Sequence, residues 1–217
     1  HLDGFYVDMI NSLSFSPDGR LLHAEYWKNV FVFDAGTGDL IRTLTDPDYQ
    51  PPSFKFSAKP SELIAEFSLD GGKILSGAPD AMLRLWDLET GKEVRRLRGH
   101  KGGWTGGIAS LAISPDGKQA ITSAFGDPDV VLWDMESGAE TRRFTGFKSW
   151  MGTRFMRNGL SFSPDGRHVF IVGSPLGIWD VRTGEAAAKL PENWGSATVG
   201  NLISSAYHPN GRQVIMN

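Results

Sequence analysis

Ser114-Pro115-Asp116-Gly117, followed across two short alternating runs by Trp133-Asp134, is the stretch that decides the fold, because both of its markers recur along the chain. The tetrapeptide returns as Ser16-Pro17-Asp18-Gly19, Ser68-Leu69-Asp70-Gly71, Ser163-Pro164-Asp165-Gly166 and, degraded, His208-Pro209-Asn210-Gly211. Steps between second positions are 52, 46, 49 and 45 residues. The second marker follows each of the first four turns as Phe33-Asp34, Trp86-Asp87, Trp133-Asp134 and Trp179-Asp180, spaced 53, 47 and 46. Two markers sharing one period identify an internal repeat.

Each unit reads as four strands. Before the turn, Leu13 and Phe15, or Leu111 and Ile113, alternate with a period of two. In the turn, Pro presets its φ, Asp bonds nearby backbone and Gly accepts φ > 0. A second strand follows (74–76, 119–122, 168–172), and a third ends in the Trp-Asp pair (82–86, 130–133). Thr37-Gly38, Thr90-Gly91, Ser137-Gly138 and Thr183-Gly184 make another turn into a fourth strand (40–44, 93–97, 140–144, 185–190). No 3.6-residue apolar stripe interrupts this pattern. Four strands per repeat, repeated, is an all-β propeller of four-stranded antiparallel blades. The boundaries read as blades at 9–46, 61–99, 107–146 and 157–191 with a partial fifth at 201–217, all in one domain.

Composition narrows the function. The 217 residues hold 22 Lys+Arg against 25 Asp+Glu, a net charge of −3 that excludes nucleic-acid binding through bulk basicity. Cysteine is absent, which excludes disulfides, zinc-thiolate sites and cysteine nucleophiles. No apolar run is long enough for a spanning helix. The five His are scattered without an i,i+4 pair; apart from His100, they read as turn or strand residues, mostly exposed. The recurring carboxylates fall in turns or after Trp. Gly102-Gly103 and Gly106-Gly107 lack the Gly-Lys-Ser/Thr of a phosphate loop. No catalytic residue, metal ligand or cofactor is assigned.

The third unit, with Gly99-His100, Ser123, Asp127 and Trp133, resembles a WD40-repeat β-propeller, and the resemblance covers essentially the whole chain. In that family, His, Ser/Thr, Asp and Trp form a buried hydrogen-bonded network within one blade. The resemblance thus implies a structural tetrad of His100, Ser123, Asp127 and Trp133. In the second unit it implies Ser76, Asp80 and Trp86 at the same spacings, without the Gly-His. Units one and four depart further and resemble YVTN-type blades nearly as well, and the Ser-Pro-Asp-Gly-Arg turns look like those of bacterial members. Seven blades is what the resemblance implies. The segment is therefore expected to be an internal piece of a longer chain, its ring completed by further blades or by another chain.

One pattern exceeds what strands and turns require. Trp104, Trp150 and Trp194 lie between one unit's fourth strand and the next unit's first, at steps of 46 and 44, in phase with the repeat. With Lys148 and Arg154 beside them, they are candidates for binding a protein or peptide partner; the competing reading has each Trp cap the gap between neighbouring blades. Arg95-Arg96 and Arg142-Arg143 on fourth strands read as charge protecting an outer edge, or as an anionic docking stripe. The leading expectation is a non-catalytic scaffold presenting its connecting loops. A propeller enzyme with a site at the channel mouth and a structural subunit of an assembly are the alternatives. The sequence assigns no compartment, and no signal peptide or spanning segment is read in it.

Overall fold

A computed structural model describes residues 13–26, 28–47, 63–101, 107–147, 159–173, 175–189, 205–208, 210, 211 and 213–216. Among these residues there are strands and turns and no helix. Blade 1 is β1 (Leu13–Phe15), β2 (Leu21–Tyr26), β3 (Asn29–Asp34) and β4 (Leu40–Thr45). Blade 2 is β5 (Ile64–Phe67), β6 (Lys73–Gly77), β7 (Leu83–Asp87) and β8 (Glu93–Leu97). Blade 3 is β9 (Ile108–Ile113), β10 (Gln119–Ala124), β11 (Val130–Asp134) and β12 (Glu140–Phe144). Blade 4 is β13 (Leu160–Phe162), β14 (His168–Ile171), β15 (Gly177–Asp180) and β16 (Ala186–Lys189). The partial fifth pairs β17 (Ser205–Tyr207) with β18 (Val214–Met216). Within each sheet the strands lie in chain order and antiparallel, as four-stranded propeller blades do. The first strands of successive blades lie side by side, β5 on β9, β9 on β13 and β13 on β17.

Both recurrent turns fold by local hydrogen bonding. Ser114 Oγ donates to Asp116 Oδ1 (2.7 Å) and accepts from the Gln119 amide (2.9 Å), while Asp116 Oδ1 accepts from the Lys118 amide (3.0 Å). Gly117 closes the turn at φ 70°. Blades 1, 2 and 4 repeat these bonds around Ser16, Ser68 and Ser163. The serine, whose role the sequence reading left out, holds Asp18, Asp70, Asp116 and Asp165 below the usual carboxylate range through its hydroxyl. In the second turn the Asp after Trp is the cap: Asp134 Oδ1 accepts from the Ser137 amide (2.7 Å) and hydroxyl (2.6 Å).

Because strand side chains alternate, each blade has one face toward the preceding blade and one toward the following blade, and both are apolar. Val30, Val32 and Leu44 of blade 1 meet Phe67, Ile74 and Trp86 of blade 2. Leu75, Leu83, Leu85 and Leu97 of blade 2 meet Ala120, Val131 and Trp133 of blade 3. Ile121, Val130, Leu132 and Phe144 of blade 3 meet Leu160, Val169, Ile171 and Trp179 of blade 4. Phe170 and Val172 carry the packing on to Tyr207 and Val214. The core is thus a series of seams, each centred on the receiving blade's aromatic residue.

Candidate functional site

The most connected polar group lies inside blade 3. Trp133 Nε1–H donates to Thr122 Oγ1 (2.7 Å), Thr122 lies 2.8 Å from His100 Nε2, and His100 Nδ1 lies 2.9 Å from Asp127 Oδ2. With the ring proton on Nδ1 facing the carboxylate, Nε2 accepts the threonine O–H, whose oxygen accepts the indole N–H; every hydrogen then has an acceptor. Asp127 also accepts from the amides of Lys101 (2.9 Å) and Asp129 (3.1 Å). Burial raises the carboxyl, but the His100 donor and these amides outweigh it and bring Asp127 down to about 2. Since that lies below the ordinary 3.8, its stabilising contribution is complete above about pH 4 and is lost as pH falls through about 2.

Thr122 stands where Ser123 was expected. The structure brings His100, Asp127 and Trp133 together but turns Ser123 to the opposite face, where its buried hydroxyl has no hydrogen-bond partner. The reason is register. In blade 2 the hairpin pairs Gly77 with Leu83 around residues 78–82, whereas in blade 3 Ser123 pairs with Val130 around residues 124–129, one residue more. Asp-to-Trp spacing is equal in the two blades, so spacing points to Ser123, but the added residue moves the inward position to Thr122.

Blade 2 meets the same need with an ion cluster. Trp86 Nε1–H donates to Ser76 Oγ (2.8 Å). Asp80 has no histidine; both its oxygens take the Arg84 guanidinium, at 2.7 and 3.3 Å. Arg84 is wholly buried, and also pairs with Asp46 at the end of blade 1 (3.0 Å). Sequence reasoning missed Arg84, whose only signal is a basic residue two before Trp86 on an otherwise apolar strand.

The hydroxyl–imidazole–carboxylate order of blade 3 is that of a hydrolytic triad. Here it does other work: Thr122 is fully buried and its oxygen is engaged by the indole, so no substrate carbonyl reaches it. His23, expected among exposed residues, is also fully buried, 3.2 Å from the equally buried Glu25. Among the described residues, no group of three or more His, Cys, Asp or Glu is placed to hold a metal ion. Also among them, no helix is long and apolar enough to cross a membrane. Trp104, Trp150, Trp194, Lys148 and Arg154 lie outside the described residues.

The fourth-strand arginines tie blades together. Arg42 donates to the carbonyls of Leu88 (3.1 Å) and Glu89 (2.5 Å), Arg95 to Ser137 (2.8 Å), and Arg142 to Thr183 (2.9 Å) and Arg182 (2.6 Å). Each reaches the second turn of the following blade. Their neighbours Arg96 and Arg143 fold back on Glu93 (2.7 Å) and Glu140 (2.5 Å). The pairs therefore form ties across and within blades, which accounts for their charge without an anionic ligand.

Residues 91–134 match the family model described as WD40: WD domain, G-beta repeat. That span runs from the turn glycine of blade 2 to the Asp after Trp133, and holds the whole His100–Thr122–Asp127–Trp133 series. Over 123 residues the chain is 31% identical to CCR4-associated factor 4 of Saccharomyces cerevisiae (strain YJM789), covering 51% of this chain and 18% of that protein. Over 56 residues it is 38% identical to autophagy-related protein 16 of Arabidopsis thaliana, covering 26% and 10%. The chain thus spans less than a fifth of the length of these relatives. They come from a yeast and a plant, and lend no support to the likeness to bacterial members. The family's match falls on the stretch that holds the complete buried series, and the blades on either side repeat its strand order.

Proposed function

We propose that the chain is a non-catalytic WD40 scaffold that binds a protein or peptide through the connections between its blades. The observation that carries this reading is the division of labour along the repeat. In the described residues, the recurring serines, aspartates and arginines close turns or tie blades, while the in-phase Trp104, Trp150 and Trp194 fall in the connections. Aromatic residues on connecting loops offer contact area with few rotamers to freeze. A relative whose name declares association with another protein, CCR4, supports a role in a protein assembly. The propeller-enzyme alternative gains nothing from blade 3, whose one triad-like series is sealed.

Peptides selected from a random display library on the wild-type chain test this. Trp104→Ala with Trp150→Ala is expected to weaken them roughly tenfold or more, with little change in thermal midpoint. Unchanged affinity overturns the loop assignment. Loss of the fold assigns these tryptophans to capping the gaps between blades.

A further inference from the structure

Among the described residues, histidine and carboxylate pair in blades 3 and 1, and only the first pair is anchored. In blade 3, Asp127 beside His100 also accepts from the amides of Lys101 and Asp129 and lies 3.4 Å from the Arg143 guanidinium. In blade 1, His23 and Glu25 stand two residues apart on β2, so both side chains leave the same face. Both side chains are fully buried, with His23 Nδ1 3.2 Å from Glu25 Oε1. His23 Nε2 and Glu25 Oε2 are buried without a hydrogen-bond partner.

The face is the one toward blade 2. His23 stands opposite Val32 and Glu25 opposite Val30, valines of the seam with Phe67, Ile74 and Trp86. The His23 ring lies 5.0 Å from that of Phe67. Counted from the first-turn serine, blades 2, 3 and 4 place Leu75 and Gly77, Ile121 and Ser123, and Phe170 and Val172 at these two positions. Their seams close without an ionisable group there.

The charged groups nearby are committed elsewhere. Ser14 of β1, Val30 and Val32 of β3, and Ala65 and Phe67 of β5 carry no charge. On the same seam, Arg42 is held by the Leu88 and Glu89 carbonyls. Arg84 is held by Asp46 and Asp80, with Glu93 3.8 Å away and Arg96 on Glu93. Lys28, in the hairpin after β2, is exposed, and Glu66, next to Ala65, takes the Ile113 amide of blade 3. A lone charge on His23 or Glu25 is thus uncompensated, whereas one proton between them leaves the pair neutral overall wherever it sits. Burial raises the Glu25 carboxyl, against the pull of His23 and the Ala65 amide.

We propose that His23 and Glu25 make the seam between blades 1 and 2 a proton-sensitive joint, closed while the pair holds one proton and loosened when it gains or loses one. With the seam open, the groups return to water as an ordinary imidazole, titrating at about 6.5, and an ordinary carboxyl, at about 4.5. The open pair then holds two protons below about pH 4.5, one up to about pH 6.5 and none above. While the closed pair keeps its one proton, opening takes up a proton in acid and releases one in alkali. The opening equilibrium is level from about pH 4.5 to 6.5 and rises by up to about tenfold per pH unit on either side. The joint is separate from the tryptophan connections, so either assignment stands if the other fails.

Amide exchange of β2 and β5 in the full chain tests this, corrected for the intrinsic rate at each pH and read against β13 and β14, whose seam with blade 3 is apolar. Both limbs are expected between about pH 3.5 and 8.5. His23→Ile with Glu25→Ser, the residues of blade 3, is expected to level the profile. Glu25→Gln keeps the shape and removes one titration, and decides where the double change fails to fold. Its alkaline limb is expected to vanish and its acid limb to begin near pH 6.5, about two units higher. Glu66→Gln is expected to leave both limbs in place. A level wild-type profile overturns the proposal. So does a profile unchanged by Glu25→Gln, or an alkaline limb lost in Glu66→Gln.

Discussion

Blades 3 and 4 bury the same indole with opposite chemistry. Around Trp133 stand His100, Thr122 and Asp127, joined by hydrogen bonds from end to end. Around Trp179 the matching positions are Phe147, Ile171 and Gly173. Phe147 packs on the indole with ring centroids 5.2 Å apart, and a Cβ on Gly173 would lie 3.0 Å from the Phe147 ring. All three positions differ in kind from those of blade 3, and the Trp179 N–H is left buried without a partner. What the fold requires at this place is a large flat side chain across the seam. The polar series is one way to surround it, and it works only when complete.

The sharpest break in that comparison comes from the indole itself. Trp133→Ala is expected to destabilise the chain by about 3–5 kcal/mol in urea unfolding, as large core truncations do, and a loss below about 1 kcal/mol would deny it the centre of the seam. Thr122→Val keeps the shape but strands the indole N–H and His100 Nε2, for an expected loss of about 2–3 kcal/mol. Converting blade 3 to the chemistry of blade 4 separates parts from whole. The triple change His100→Phe, Thr122→Ile and Asp127→Gly is expected to cost less than the sum of its single changes by about 1–3 kcal/mol, and strict additivity would show that the three do not act together. Acid should distinguish the blades without mutation. As pH falls from about 4 through about 2, Asp127 loses its charge, and amide exchange in β9–β12 is expected to quicken relative to β13–β16. The smallest effect belongs to Ser123→Ala, within about 0.5 kcal/mol of the wild type; a loss like that of Thr122→Val would return the series to Ser123.

A second titration lies at the seam of blades 2 and 3. Glu66 Oε2 accepts from the Ile113 amide (3.1 Å), and burial pushes its carboxyl up to about 8 against that bond. Its folded-state value lies above the ordinary 4.5, so its contribution is complete below that pH and is lost as pH rises through about 8. This alkaline loss runs opposite to that of Asp127.

The repeat, the turns and the strand order were legible in the sequence because turn chemistry and a period of two leave local marks. The buried series was legible in three of its four members. Ser123 misled because spacing counts residues along the chain, while membership depends on which face a strand turns inward, and one added residue in a hairpin reverses that. Arg84 left little trace, since its partners Asp46 and Asp80 come from different blades. Arg95 and Arg142 likewise read as edge charges, because their acceptors are backbone carbonyls about forty residues away, which no side-chain pattern reveals.

The fit of Arg95 and Arg142 into the space left by Gly138 and Gly184 of the following blade, where a Cβ would lie 2.5 and 3.0 Å from the arginine Cδ, bears on how such an array can evolve. Copying one blade alone carries off an arginine without its glycine, and a glycine without its arginine. The heritable module runs instead from the outer strand of one blade to the second turn of the next, so duplications and losses cut at the middle of a blade conserve more than cuts made between blades.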